Sequence, residues 1–143
     1  MQGTLIRIFN PKDGTQLGEL RRGSTPTQIC DLSFDIESKY LTCSSNKGTI
    51  HIFKVGHFLA GSASENTKSY FNLLSSVVNY AGSEWSFAQF RLDPSQVGEN
   101  ELKSVIYQDF LHVISRKGYY LRVAITPAGG TLTDFAQFPL LKD

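Results

Sequence analysis

Two short phrases recur along the chain, and no other feature narrows the choice of folds so far. Ile6-Arg7-Ile8-Phe9 follows Gly3-Thr4, and Ile50-His51-Ile52-Phe53 follows Gly48-Thr49. The Lys47-Gly48 pair returns as Lys117-Gly118 ahead of Tyr120-Leu121-Arg122-Val123. Phe87-Ala88-Gln89-Phe90 recurs letter for letter as Phe135-Ala136-Gln137-Phe138, and Leu17-Gly18-Glu19-Leu20 has the same large-small-polar-large form. Alternating, β-branched segments of this kind read as strands. A period of about 40 to 45 residues is that of a four-stranded propeller blade.

Taking the first set as the third strand of a blade (C) and the second as its fourth (D), two further segments fall between each D and the next C. They are Ile29–Phe34 with Tyr40–Ser44, and Leu102–Tyr107 with Phe110–Ile114, and they supply strands A and B. The pattern predicts an all-β fold, a partial β-propeller of WD-repeat type. Residues 1–23 are strands C and D of one blade, 24–92 a complete blade and 93–143 another. A closed propeller takes about four to eight blades, so the sequence is expected to be the C-terminal part of a larger one. The unpaired C strand from Thr4 to Phe9 is expected to drive self-association. An independent sandwich of about ten strands is the other all-β reading, and it gives no reason for a start in mid-repeat.

The C-to-D connection is short in the first and third units. Between Phe53 and Trp85 it carries an insertion, at about 57–83, far longer than a hairpin needs. It holds Phe58 and Leu59, then Tyr70, Phe71, Leu73, Leu74, Val77 and Val78, the last six at helical spacing. Such a stripe buries itself either at a membrane interface or on the blade edge. No stretch has the form of a secretory signal or the length of a bilayer span. Cys30 and Cys43 read as reduced thiols, which suits a cytosolic protein.

A net charge of +1, from 14 Lys+Arg against 13 Asp+Glu, creates no global field for nucleic acid, so any anion site is local. The densest cationic feature is Arg21-Arg22, followed by Gly23. Adjacent strand residues face opposite ways, so the two guanidinium forks serve two pockets, one on each side, and each fork can hold a phosphate bidentately. Arg7 lies on the neighbouring C strand. Ser44, Ser45, Lys47, Thr49 and His51 gather hydroxyls, an ammonium and an imidazole within one hairpin, a mixture that suits a polyol carrying phosphates. The other reading has the arginines solvated or paired with Glu19 or Asp31. His51, His57 and His112 have no carboxylate or nucleophile at a recognised spacing, and there is no Gly-rich phosphate loop or metal signature. The sequence therefore predicts a binding module that uses no cofactor or metal, not an enzyme.

Leu-Arg-Arg-Gly after Gly-Thr-Leu-Ile-Arg-Ile-Phe, followed by Ser-Ser-Asn-Lys-Gly-Thr-Ile-His-Ile-Phe and Trp-Ser-Phe-Ala-Gln-Phe, resembles the PROPPIN family. These are seven-bladed WD-repeat propellers, the WIPI proteins among them, that bind phosphatidylinositol 3-phosphate and phosphatidylinositol 3,5-bisphosphate in autophagy. The resemblance implies that the chain corresponds to the end of blade five and to blades six and seven. It implies that Arg21 and Arg22 serve two head-group sites, with Arg7 and Thr4 lining the first. Ser44, Ser45, Lys47, Thr49 and His51 are candidates for the second, with Thr25 near the arginine pair. The long insertion matches the family's membrane-dipping C-D loop of blade six. A cytoplasmic protein, peripheral on preautophagosomal or endosomal membranes, is implied, with an autophagy lipid-transfer protein as partner of the full-length form. The alternative is a WD-repeat interaction scaffold indifferent to lipid.

Overall fold

The computed structural model describes residues 3–60, 83–93, 102–126 and 129–138. Its strands form three sheets. The first contains β1 (Leu5–Phe9) and β2 (Gln16–Arg21), joined by the short parallel β6 (Glu84–Trp85) in the order β1-β2-β6. The second orders β3 (Ile29–Phe34), β4 (Tyr40–Ser45), β5 (Thr49–Lys54) and β7 (Ala88–Arg91) as an antiparallel meander, and α1 (Gly56–Ala60) follows β5. The third orders β8 (Leu102–Tyr107), β9 (Phe110–Ser115), β10 (Tyr119–Thr126) and β11 (Gly129–Gln137) in the same way. Every strand expected from the repeats is present. The fold is the expected partial propeller, with β6 as an addition that no repeat announced.

The repeated Lys-Gly pair is a turn. Gly48 and Gly118 sit at φ of 76° and 79°, in the left-handed region that glycine enters without a Cβ penalty. In each turn the glycine N–H closes a four-residue loop by donating to the serine three residues back, Gly48 to Ser45 O at 2.9 Å and Gly118 to Ser115 O at 3.0 Å. Each glycine carbonyl then accepts from the D-side chain, Leu92 N at 3.0 Å and Phe138 N at 2.8 Å. The sequence repeat is thus the repeat of one hydrogen-bonded corner.

Two apolar seams hold the sheets together. Leu20, Leu41, Cys43, Phe53 and Val55 fill the seam between the first and second sheets, with Ile6, Ile8 and Ile29 beside them. Ile50, Ile52, Ala88, Leu102, Ile106, Leu111, Val113, Leu121 and Val123 fill the one between the second and third. Period-2 alternation assigns successive residues of β4 and β5 to opposite seams: Leu41, Cys43, Phe53 to one, Ile50 and Ile52 to the other.

Polar side chains brace the second seam. Thr42 Oγ1 donates to Ser104 O at 3.1 Å, and Ser44 Oγ donates to Leu102 O at 2.9 Å. Asp31 accepts from Lys103 Nζ at 3.0 Å and from Ser104 N at 3.1 Å. Asp31 reaches this seam because β3 slips register between Ile29, opposite Ser45, and Asp31, opposite Ser44. The extra residue, Cys30, is a bulge that turns Asp31 away from the face Ile29 occupies.

Candidate functional site

β2 ends at Arg21; Arg22 follows it with its N–H still donating to Thr4 O at 2.9 Å, so the strand's alternation carries on and sends the two arginines to opposite faces. Leu20 lies in the seam with the second sheet, so Arg22 shares that side and Arg21 the other. Both side chains are buried, Arg21 6% and Arg22 7% exposed.

Arg22 donates from Nε to Gly3 O at 3.2 Å and from Nη2 to Gly3 O at 2.6 Å and Thr25 O at 2.7 Å. Among the described residues no carboxylate pairs with it and no bond uses Nη1, which keeps two N–H donors. Its charge faces the thiol of Cys43 and the imidazole of His51. Burial pushes the Cys43 thiol up to about 12 even though the arginine opposes this, so Cys43 is an inert neutral group. Burial, with Arg22 adding to it, pushes His51 down to about 4, so its ring is neutral at physiological pH.

Opposite His51 in the register stands Gln89. Gln89 Nε2 donates to Ser86 Oγ at 3.2 Å, and Ser86 Oγ lies 3.2 Å from His51 Nδ1. In the tautomer where the Ser86 hydroxyl accepts from Gln89 and donates to Nδ1, the ring hydrogen sits on Nε2, as a donor. Ser45, on the same face of β4 as Cys43, donates to Thr49 O at 3.2 Å and stiffens the hairpin. Thr27 Oγ1 donates to Asn46 Oδ1 at 2.9 Å, tying the segment after the arginines to the same turn.

The structure therefore gathers Arg22, Ser45, Thr49 and His51 at one seam, with the Thr25 carbonyl on Arg22, Thr25 itself exposed and Lys47 exposed at the turn tip. Ser44 is not among them. It sits on the opposite face of β4, and its hydroxyl is committed to Leu102. Ser86 and Gln89 join the cluster unforeseen. Only the polar third position of the Phe-Ala-Gln-Phe repeat hinted at Gln89.

On the other face of the first sheet Arg7 stands opposite Glu19, and Arg21 is the diagonal neighbour of Arg7. Arg7 Nε lies 3.0 Å from Glu19 Oε2, and Ser83 Oγ donates to Glu19 Oε1 at 2.5 Å. The Ser83 hydroxyl, ahead of the charges of Arg7 and Arg21, holds the Glu19 carboxyl below the ordinary carboxylate range against the effect of burial. Thr4 supplies the carbonyl that accepts Arg22 N at 2.9 Å. Glu19 thus forms an ion pair with Arg7, and Asp31 one with Lys103.

Of the apolar insertion, Phe58 and Leu59 fall in α1, and Phe58 is half-buried against the first seam, on Gly18 of β2. Tyr70, Phe71, Leu73, Leu74, Val77 and Val78 lie outside the described residues. The two ends of the insertion meet where His57 Nε2 lies 3.2 Å from Glu84 Oε1.

The family profile of the PROPPINs matches residues 1–101. The chain belongs to the PROPPIN family. Autophagy-related protein 18e of Arabidopsis thaliana is 37% identical over 94 residues, 66% of this chain and 25% of that protein. Autophagy-related protein 18 of Vanderwaltozyma polyspora is 37% identical over 65 residues, 46% of this chain and 12% of the relative. The fold superposes on Kluyveromyces lactis Hsv2 with a TM-score of 0.70 at 26% identity, covering 96% of this chain and 43% of that one. This PROPPIN sequence thus spans less than half the length of each of these three proteins. Among its described residues no helix is long and apolar enough to cross a membrane.

Neutral, buried His51 makes the PROPPIN seam acid-sensitive. Its folded pKa lies below its unfolded value of 6.5, so in acid the unfolded chain takes up the proton first. The stability this contributes is fully present above about pH 6.5 and is lost as pH falls toward 4. Urea midpoints should fall by roughly 2 kcal/mol equivalent between pH 7 and 4.5. His51→Gln should flatten that dependence, and an unchanged slope would show that His51 does not carry it.

Proposed function

We propose that the chain is the phosphoinositide-reading part of an autophagy-related propeller, recruited to membranes carrying phosphatidylinositol 3-phosphate or phosphatidylinositol 3,5-bisphosphate. The observation that carries this reading is Arg22: a guanidinium 7% exposed, met by carbonyl oxygens and no described carboxylate, beside a neutral imidazole. A buried cation left to backbone dipoles is costly, and a phosphate supplies the missing charge through the Nη1 edge. His51 Nε2–H is a second donor to the same anion, and exposed Lys47 a cation at the entrance. Arg21 with Arg7 forms the second phosphate-binding face, on the far side of β2, with Thr4 and Thr25 at the margins of the two.

In family terms residues 1–23 are assigned to blade five, 24–92 to blade six and 93–143 to blade seven. The apolar residues at 70–78 supply shallow insertion, so that a head-group contact and a buried apolar stretch act as two weak signals giving reversible recruitment. The module binds and does not catalyse. Among the described residues β1 pairs with β2 on one side, and self-association through its other edge belongs to the same reading.

Flotation with liposomes that contain or lack phosphatidylinositol 3-phosphate tests the reading. The wild-type chain is expected to float only with the lipid, and Arg21→Ala/Arg22→Ala to stay at the bottom at equal β-sheet signal in circular dichroism. Equal flotation on both liposomes would favour a scaffold indifferent to lipid.

A further inference from the structure

Residues 22–28 join β2 to β3, and the middle of this segment faces solvent. Ser24, Thr25 and Pro26 are exposed, whereas Thr27 is buried. The segment is held in place from both sides. Thr25 O accepts Arg22 Nη2 at 2.7 Å, and Thr27 Oγ1 donates to Asn46 Oδ1 at 2.9 Å. Thr27 O accepts Gly3 N at 3.3 Å, and Gln28 O accepts Asn46 N at 3.1 Å. Thr25 is thus displayed on a fixed frame, with its backbone on the guanidinium.

The segment carries two phosphoryl acceptors of familiar form, and the structure separates them. Arg21-Arg22-Gly23-Ser24 has the spacing of a serine that a kinase recognises through two preceding basic side chains. Here those side chains are 6% and 7% exposed, out of reach of a kinase cleft. Thr25-Pro26 asks for no charge. The proline holds Thr25 extended, the form in which a kinase takes its substrate, and both residues are exposed. The other Thr-Pro pair begins at Thr126, inside β10 and paired with Gly129.

A phosphate on Thr25 Oγ1 starts one side chain away from a cation that its own carbonyl already touches. It brings close to two negative charges and three acceptor oxygens. Arg22 has its Nη1 edge to offer, which makes no bond among the described residues.

Resting on the lipid reading above, we propose that Thr25 is the phosphorylation site of a proline-directed protein kinase, and that its phosphate takes Arg22 in place of the head-group phosphate. The covalent step is phosphoryl transfer from ATP. The bond from Oγ1 to the γ-phosphorus forms, the bond from that phosphorus to the β,γ-bridging oxygen breaks, ADP leaves, and the hydroxyl proton passes to the kinase's catalytic carboxylate. The product is an internal competitor for the seam.

The full chain is incubated with a mitogen-activated protein kinase and ATP, and the site is located by mass spectrometry with Thr25→Ala as the blank. One phosphate is expected, on Thr25 of the folded chain. Flotation on phosphatidylinositol 3-phosphate liposomes should fall at least about tenfold, the effect of a tethered competitor, and return when a phosphatase removes the group. Phosphorus resonance reads the pairing without lipid. The phosphothreonine should titrate below its ordinary value of about 6, because the guanidinium favours the dianion. It should return to that value in Arg22→Gln, and in the same phosphorylated chain unfolded in urea.

A folded chain left unmodified at Thr25, or a phosphorus midpoint that unfolding does not move, overturns the proposal. Equal, lipid-dependent flotation with and without the phosphate overturns it as well. A lowered midpoint in a chain that floats on neither kind of liposome, phosphorylated or not, overturns the lipid reading and leaves the pairing of the Thr25 phosphate with Arg22 standing.

Discussion

Arg22→Ala is expected to lose head-group binding by at least about tenfold and to cost about 1–3 kcal/mol of stability. The two effects have one origin. The guanidinium lies in the seam between the first two sheets, where it ties Gly3 O and Thr25 O together at 2.6–3.2 Å and its charge acts on His51. Removing it leaves two carbonyls short of donors and removes the cation that a phosphate would meet. Arg22→Lys separates the roles, because an ammonium keeps the charge but cannot bridge two carbonyls and a phosphate at once. It should recover part of the stability and little of the affinity, read by urea titration and by calorimetry with soluble head group. Full affinity in Arg22→Lys would show that charge alone suffices.

Gly18→Val is expected to destabilise the fold by about 2–4 kcal/mol. A Cβ built on Gly18 would overlap the ring of Phe58, so any side chain there displaces the aromatic that closes the first seam. The comparable D strand carries Ala88 at the small position of its large-small-polar-large phrase, buried at 3% exposure. The strand that bears the arginines and the first turn after β5 are therefore fitted to each other. In a double-mutant cycle, Phe58→Ala should absorb most of the Gly18→Val penalty. Additive costs would mean that the two residues do not compete for one space.

The strands were legible because each repeat carries both an alternation and a glycine corner, and these are local signals. The opposite facing of Arg21 and Arg22 followed from the pleat alone. What alternation misassigned depends on the exceptions to it. Asp31 was one of the two acids that could pair with the arginines, but the bulge at Cys30 turns it to Lys103 and Ser104. Ser44 and Ser45 are adjacent in the chain and were grouped by proximity, yet a strand places adjacent residues in different seams, and only Ser45 shares the face of His51. β6 had no periodicity to announce it, being two residues held by a parallel pairing to β2 across the insertion. Ser83 meets Glu19 beside that pairing, and Ser86 meets His51 where β7 pairs with β5.

The central claim is that the Arg22–His51 seam receives a phosphate of the inositol head group. The most direct measurement is the His51 ring titration by nuclear magnetic resonance, with and without soluble inositol 1,3-bisphosphate. Without ligand the ring should titrate near the value of about 4 that burial and Arg22 impose. With ligand an anion beside the ring favours its protonated form, so the midpoint should move upward, and Arg22→Ala should abolish the movement. A His51 midpoint that stays in place while the head group saturates elsewhere on the protein would contradict the account.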